Sequence, residues 1–178
     1  MKGLVALLDP LSNLRVKTVW DELEHHFNLH GVLSCPYPHI TFNILDEYET
    51  EQVEAELRTI ATRIKPFTIH TAGLGFFLLP EPVLYIPVVR SPALDQVHQR
   101  LWQAFPQKVN GNGLYSPELW VPHITLAVDD LTRKQMPQVL EYLSDTSFHW
   151  AIPLEGLTFA VKTATGYEFR CGCEFGGE

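Results

Sequence analysis

Apolar positions along this chain alternate between two periods. Short runs that are apolar throughout or at every second position predict strands, and stretches with apolar residues three and four apart predict helices. GLVALLD at residues 3–9 predicts a first strand. In the following segment, residues 10–31, Val16, Trp20, Leu23 and Phe27 form one helical stripe with Gly31 as its stop. HITFNIL at 39–45 predicts a strand. TEQVEAELRTIATRI at 50–64 predicts a helix with Val53, Leu57, Ile60 and Ile64 on one face, ended by Pro66. FTIHTAGLGFFLL at 67–79 reads as one strand, or as two broken at Gly73.

The second half repeats this order. PVLYIPVV at 82–89 predicts a strand whose internal Pro87 implies an edge or a bulge. SPALDQVHQRLWQAF at 91–105 predicts a helix with Ser91 at the N-cap, Pro92 at the first position and Leu94, Val97, Leu101 and Trp102 as its stripe. LWVPHITLAV at 119–128 predicts a strand, and residues 132–144 a helix whose start is limited by Pro137. FHWAIPLEGLTFAVK and YEFRCGCEF close the chain as strands around the turn TATG.

Pro-His-Ile-Thr occurs at residues 38–41 and again at 122–125, and Gly-Leu-Gly-Phe at 73–76 is matched by Gly-Leu-Thr-Phe at 156–159. The pattern implies an internal duplication of a β-α-β-α-β unit. The expected fold is α+β: a single bilobal domain over residues 1–178, with repeat one at about 1–80 and repeat two at about 81–178. A pseudo-twofold would relate two antiparallel sheets that flank a central cleft, with the helices outside.

The chemistry follows from the alternation. Residues two apart on a strand share a face, so His39, Thr41 and Asn43 point one way, and His123, Thr125 and Ala127 do so in the second copy. Packing explains the apolar residues between them. It gives no reason for His and Thr to recur on the opposite face. Two imidazoles across a cleft can serve as general base and general acid, and the threonine hydroxyls can donate to oxyanions between them, which suits phosphoryl transfer. Zinc is the competing reading, but it takes three or four protein ligands and this motif supplies one per copy. No metal or cofactor is expected.

Tyr37 shares the face of His39 and is expected to line the cleft with Asn43 and Tyr85. Tyr115 follows the Asn/Gly-rich loop at 110–113 and either stacks on a base or anchors that loop to the core. Lys162 and Arg90 are the candidate cations for a phosphate. His25, His26 and His30 read as a solvated helix end, His70 and His149 as surface strand residues, and Cys171 and Cys173 as small apolar side chains.

Charge narrows the substrate. The chain carries 21 acidic against 13 basic side chains, a net charge of −8, which leaves little for a long nucleic-acid footprint. Three cysteines without CxxC spacing suggest a reduced, cytoplasmic setting. The first apolar run is stopped at Asp9 and Pro10 and reads as a strand rather than a signal or membrane segment. A monomer is expected.

The duplicated His-x-Thr-apolar motif, the Gly-Leu-x-Phe strands and above all LWVPHITLA resemble the 2H phosphoesterase superfamily, which includes the 2′-5′ RNA ligase-like and cyclic phosphodiesterase proteins. The resemblance spans essentially the whole chain. It implies a bilobal α+β fold and metal-free hydrolysis of cyclic 2′,3′-type phosphodiesters, with 2′-5′ ligation as the reverse reaction. His39, Thr41, His123 and Thr125 carry the family's catalytic motif. Many bacterial relatives acting on RNA have Arg two residues after the second motif's Leu, where this chain has Val128 after Ala127. That departure points toward a small cyclic nucleotide, or an RNA terminus only, as the substrate. The alternative is a nucleotide- or RNA-end-binding module of the same fold without turnover; release of nucleoside monophosphate in the presence of a chelator separates the two.

Overall fold

The computed structural model describes residues 2–45, 47–78, 81–106, 113–164 and 166–177. Strand β1 (Lys2–Leu7) leads to Asp9, whose carboxylate accepts from the backbone N–H groups of Leu11 and Ser12 and so opens helix α1 (Pro10–Phe27). The helix stops at Asn28, before Gly31. Asn28 adopts the left-handed conformation (φ 57°) and its N–H returns to the carbonyl of Glu24. Gly31 opens a 3₁₀ turn, Gly31–Ser34. Strand β2 (His39–Ile44), helix α2 (Thr50–Ala61), and strands β3 (Phe67–His70) and β4 (Gly75–Phe77) complete the first half.

The second half follows as β5 (Val83–Pro87), α3 (Pro92–Ala104), β6 (His123–Ala127), α4 (Met136–Leu143), β7 (Ala151–Leu154), β8 (Gly156–Thr163) and β9 (Gly166–Glu174). The fold is α+β, and every named strand pair among the described residues is antiparallel. No helix among the described residues is long and apolar enough to cross a membrane.

The strands form three sheets where the pattern predicts two: β2-β1-β8-β9, β4-β5-β6 and the pair β3-β7. The extra sheet arises because the chain breaks between β3 and β4, where Gly73 takes φ 68°, and between β7 and β8 at Glu155. Released from their successors, β3 and β7 pair with each other, Phe67 opposite Leu154 through His70 opposite Ala151. The two larger sheets also exchange strands. β8 of the second half pairs with β1, and β4 of the first half pairs with β5. Pro87 is neither on an edge strand nor at a bulge: β5 is central, and Pro87 is its last residue, with its carbonyl accepting from Ala72.

The exchange leaves β2 and β6, the two Pro-His-Ile-Thr strands, as edges of their sheets, packed near one another. An edge strand carries carbonyls without a ladder partner. Here tryptophans satisfy them across the halves. Trp20 on α1 donates its indole N–H to the carbonyl of Thr125 on β6 (3.1 Å), and Trp120, just before β6, donates to the carbonyl of Thr41 on β2 (2.9 Å). Both indoles are buried.

Trp120 is itself held by α3, whose buried stripe is Leu94, Val97, His98 and Leu101. His98 takes the place that the pattern gives Trp102, because its ring lies flat on Trp120 (centroids 3.9 Å apart, planes 8° apart) while Trp102 is only half-buried. His98 is 1% exposed, and desolvation lowers its pKa to about 4.

The stack makes stability depend on pH. Between about pH 6.5 and pH 4 the unfolded chain protonates at residue 98 while the folded chain does not. Stability should therefore fall as pH drops through that window, by about 3 kcal/mol at full extent, and be insensitive to this group above it. His98→Phe keeps the flat stack and should remove that part of the slope when urea midpoints are compared at about pH 7.5 and about pH 4.5. Trp120→Phe removes the donor to the Thr41 carbonyl and should cost about 1–3 kcal/mol in the same urea titration at neutral pH.

Candidate active site

His39 and His123 are the first residues of β2 and β6, and each follows a buried proline. Proline holds the residue before it in an extended conformation. The carbonyl two positions upstream of each histidine then lies against the ring: His39 Nδ1 is 2.6 Å from the carbonyl of Tyr37, and His123 Nδ1 is 2.7 Å from the carbonyl of Val121. A carbonyl only accepts, so both Nδ1 atoms carry the hydrogen. In each neutral ring Nε2 is then the basic nitrogen. Burial pushes both pKa values below the usual 6.5 against the opposing pull of those carbonyls, and the charge of His39 lowers that of His123 further.

The strands do not keep perfect alternation. In the β1–β2 ladder Val5 faces Thr41 but Leu4 faces Asn43, so Phe42 is an extra residue; in the β5–β6 ladder Tyr85 faces Thr125 and Leu84 faces Ala127, so Leu126 is extra. Both copies carry a β-bulge at the same motif position, and a bulge re-aims every side chain beyond it. Asn43 therefore leaves the face of His39 and Thr41. It is buried, with Nδ2 donating to the carbonyl of Phe105 at the end of α3 (2.9 Å) and Oδ1 accepting from Ile44 N–H. Ile44 takes its place on the face of Thr41 and borders a small cavity.

That cavity, about 60 Å³, lies beside His39 and Thr41. Tyr37 is on its rim, edge-to-face with Phe169 of β9 (centroids 4.6 Å apart). Cys35 and Tyr167, which hydrogen-bond to each other, line it as well. Tyr85 is on the other side of the site: its ring stacks on Phe77 (4.4 Å) and lies 5.0 Å from that of His123. Gly75 makes that pose feasible, because a Cβ there would fall into the Tyr85 ring. Tyr115 is partly buried against the core; Asn110, Gly111 and Asn112 lie outside the described residues.

Of the two candidate cations, Arg90 is engaged with Asp95 (2.8 Å) and lies over the Trp120 ring. Lys162 is exposed, pairs across the ladder with Tyr167 and acts electrostatically on Cys35, which puts it at the His39 side. Cys35, Phe77, Tyr167 and Phe169 escape sequence reasoning. The Tyr-x-Phe alternation at 167–169 is the one signal for the last two, since it places both on one face of β9. A larger, open depression of about 620 Å³, bordered by Asp9, Pro66, Pro153 and Glu174, contains neither histidine. Among the described residues, no group of three or more His, Cys, Asp or Glu side chains is placed to hold a metal ion.

Comparison with known proteins places this geometry. The chain is 32% identical over 135 residues to a protein of Bacillus mycoides (strain KBAB4) named provisionally as a phosphoesterase, covering 72% of this chain and 73% of that one. A Bacillus cereus (strain B4264) protein with the same kind of name is 31% identical over the same length, again covering 72% and 73%. The fold matches the crystal structure of TT0787 of Thermus thermophilus with a TM-score of 0.68 at 16% identity, over 99% of this chain and 98% of that one. It also matches LigT of E. coli complexed with 3′-AMP, with a TM-score of 0.62 at 19% identity, over 98% and 97%. The model of the 2′-5′ RNA ligase superfamily matches residues 10–166. With both His-x-Thr strands inside the matched span, the chain belongs to the 2′-5′ RNA ligase superfamily, that is, to the 2H phosphoesterases.

Proposed function

We propose that this phosphoesterase hydrolyses cyclic 2′,3′-type phosphodiesters, nucleoside or RNA-terminal, without a metal, using His39 and His123 as an acid–base pair and Thr41 and Thr125 as hydrogen-bond donors to the phosphate. The observation that carries this reading is the matched wiring of the two imidazoles. Each donates Nδ1–H to the carbonyl two residues upstream, which leaves each Nε2 available for proton transfer. In the reaction, one neutral imidazole takes a proton from water as its oxygen attacks phosphorus. The bond from phosphorus to one ring oxygen breaks, and the other imidazole, protonated, delivers its proton to that oxygen. One water is consumed, and the product is a phosphomonoester beside a free hydroxyl. LigT, a structural neighbour, has been crystallised with 3′-AMP and with phosphate, ligands of the size this substrate requires.

The same chemistry in reverse would join RNA ends through a 2′-5′ bond. The acidic balance, 21 Asp and Glu against 13 Lys and Arg, favours the short substrate, because a long polyanion gains its affinity from many basic contacts.

His39→Ala and His123→Ala should each lower turnover of a nucleoside 2′,3′-cyclic phosphate by about 10²–10⁴. The double variant should lose far less than the product of the two, since the pair acts as a unit. Near-full activity in either folded single variant eliminates the mechanism, and loss of activity with EDTA that zinc restores replaces it with a metal-dependent one.

The pH dependence has a defined sign. Burial lowers both imidazole pKa values, so the bell for kcat/KM, which reports the free enzyme, should have both limbs displaced to the acid side of about pH 6.5. A bound phosphodiester anion favours imidazolium, so the bell for kcat should lie at higher pH than that for kcat/KM. Coincident bells would show that the phosphate does not sit between the rings.

A further inference from the structure

Cys171 and Cys173 stand two apart on β9, both buried, and their Sγ atoms are 2.6 Å apart. Burial explains small apolar side chains at both positions. It does not explain the contact. Side chains two apart on a strand start about 6.5–7 Å from one another, so the thiols meet only because each leans along the strand toward the other. At 2.6 Å the sulfur atoms are close to the ~2.05 Å bond of a disulfide. The residue between them is Gly172. A side chain there would meet nothing within 4 Å, and both Gly172 and Cys173 border the open depression of about 620 Å³. β9 is also an edge strand, bonded on one side only. Its backbone can therefore pucker at Gly172 without displacing a neighbour.

We infer that Cys171 and Cys173 are a reversible thiol–disulfide couple, oxidised by low-molecular-weight disulfides such as glutathione disulfide, and that closing the bond draws the upstream part of β9 along the wall beside His39. One protein thiolate attacks glutathione disulfide and releases one glutathione. The second protein sulfur, deprotonated, attacks the mixed disulfide and releases the other. Two electrons pass from the protein to glutathione, and the two thiol protons end on the released glutathione sulfurs. A ring closed between residues two apart is strained, because a strand holds their Cα atoms at the long end of the range of about 4.4–6.8 Å that a disulfide spans. Strain makes the bond easier to reduce, so excess thiol reopens it.

The contraction is taken up on one side. Downstream the strand is anchored: Phe175 donates its backbone N–H to the Glu155 carbonyl (2.7 Å) and stacks its ring on Phe67, and Gly177 N–H donates to the Ile64 carbonyl (2.9 Å). Upstream lies a bulge. Phe159 faces Cys171 but Ala160 faces Phe169, so Arg170 is an extra, exposed residue. Slack at Arg170 lets the strand shorten toward its anchor, and the residues drawn along are Phe169 and Tyr167, which line the cavity beside His39. Tyr167 is also the hydrogen-bond partner of Cys35. Burial, reinforced by the Cys171 thiol, pushes the Cys173 thiol up to about 12. The pair is therefore inert near neutral pH, and its oxidation should quicken as pH rises and thiolate forms.

The inference does not rest on the reaction proposed above, and its test needs no turnover. The reduced full-length protein is incubated with glutathione disulfide at about pH 8.5, freed of oxidant and alkylated with iodoacetamide. Trypsin cuts after Arg170 and releases residues 171–178, which contain Cys171, Cys173 and no other cysteine. That peptide should lack two hydrogens and take no alkyl group, and excess reduced glutathione should restore both thiols. A peptide that still takes two alkyl groups, or that stops at a mixed disulfide with glutathione, overturns the couple. The Cys35 left free should be alkylated severalfold faster in the oxidised protein than in the reduced one, because Tyr167 has been drawn from it. An unchanged rate overturns the link to the cavity wall. In Cys171→Ala the same oxidant should leave the Cys35 rate unmoved, and a rate that still rises there also overturns that link. Should that variant fail to fold, Cys173→Ala tests the same point.

Discussion

The arrangement of this molecule depends on how two edge strands are satisfied. A His-x-Thr motif on an edge strand gains an open face, but its backbone carbonyls lose their ladder partners. The protein resolves this by crossing its halves. Trp20, on the helix of the first half, bonds the Thr125 carbonyl, and Trp120, of the second half, bonds that of Thr41. The two indoles do not sit at equivalent points of the repeat, so the reciprocity is not inherited from the duplication alone. Each bond holds the backbone of a motif threonine from the opposite half.

The bulges complement this constraint. A strand that alternated perfectly would put Asn43 beside Thr41 and make the motif face polar for three positions. The extra residue, Phe42 in one copy and Leu126 in the other, ends the polar face after Thr41 and Thr125. Asn43 is then spent on tying the end of α3 to β2 through the Phe105 carbonyl. As α3 also carries His98 against Trp120, one short stretch of β2 is held by its ladder, by an indole and by an asparagine. The threonine hydroxyls are presented by a backbone with little freedom to move, which is what preorganised donors require.

Much of this was legible in the sequence, and the parts that were not have physical reasons. The strand and helix order, the duplication and the His-x-Thr pairs follow from period and repetition, both of which are local. The left-handed stop at Asn28 rather than Gly31, the bulges and the exchange of β4 and β8 depend on pairing between distant strands. Alternation says which residues share a face but not where a one-residue slip occurs, so Asn43 was assigned to the wrong face. Tyr37 lies on the rim of the cavity beside His39, and Tyr85 packs against His123, so the two are in unlike surroundings. Cys35, Tyr167 and Phe169 come from a turn and a strand far apart in sequence and carry no motif.

The exchange of third strands also bears on the surroundings of the two imidazoles. Because β8 lies in the sheet of β1 and β2, the wall behind His39 is built by the second half; because β4 lies in the sheet of β5 and β6, the wall behind His123 is built by the first. Each imidazole, whose pKa burial lowers, therefore has neighbours from both halves, Tyr167 and Phe169 in the cavity beside His39 and Phe77 against His123. A substitution in β9 or β4 can then move the protonation of a histidine without touching its own strand, and the two halves can diverge in wall composition while both His-x-Thr motifs stay the same. Val5 and Tyr85 are the case in point: they face the two motif threonines in matched ladders, and they differ by the volume of an aromatic ring.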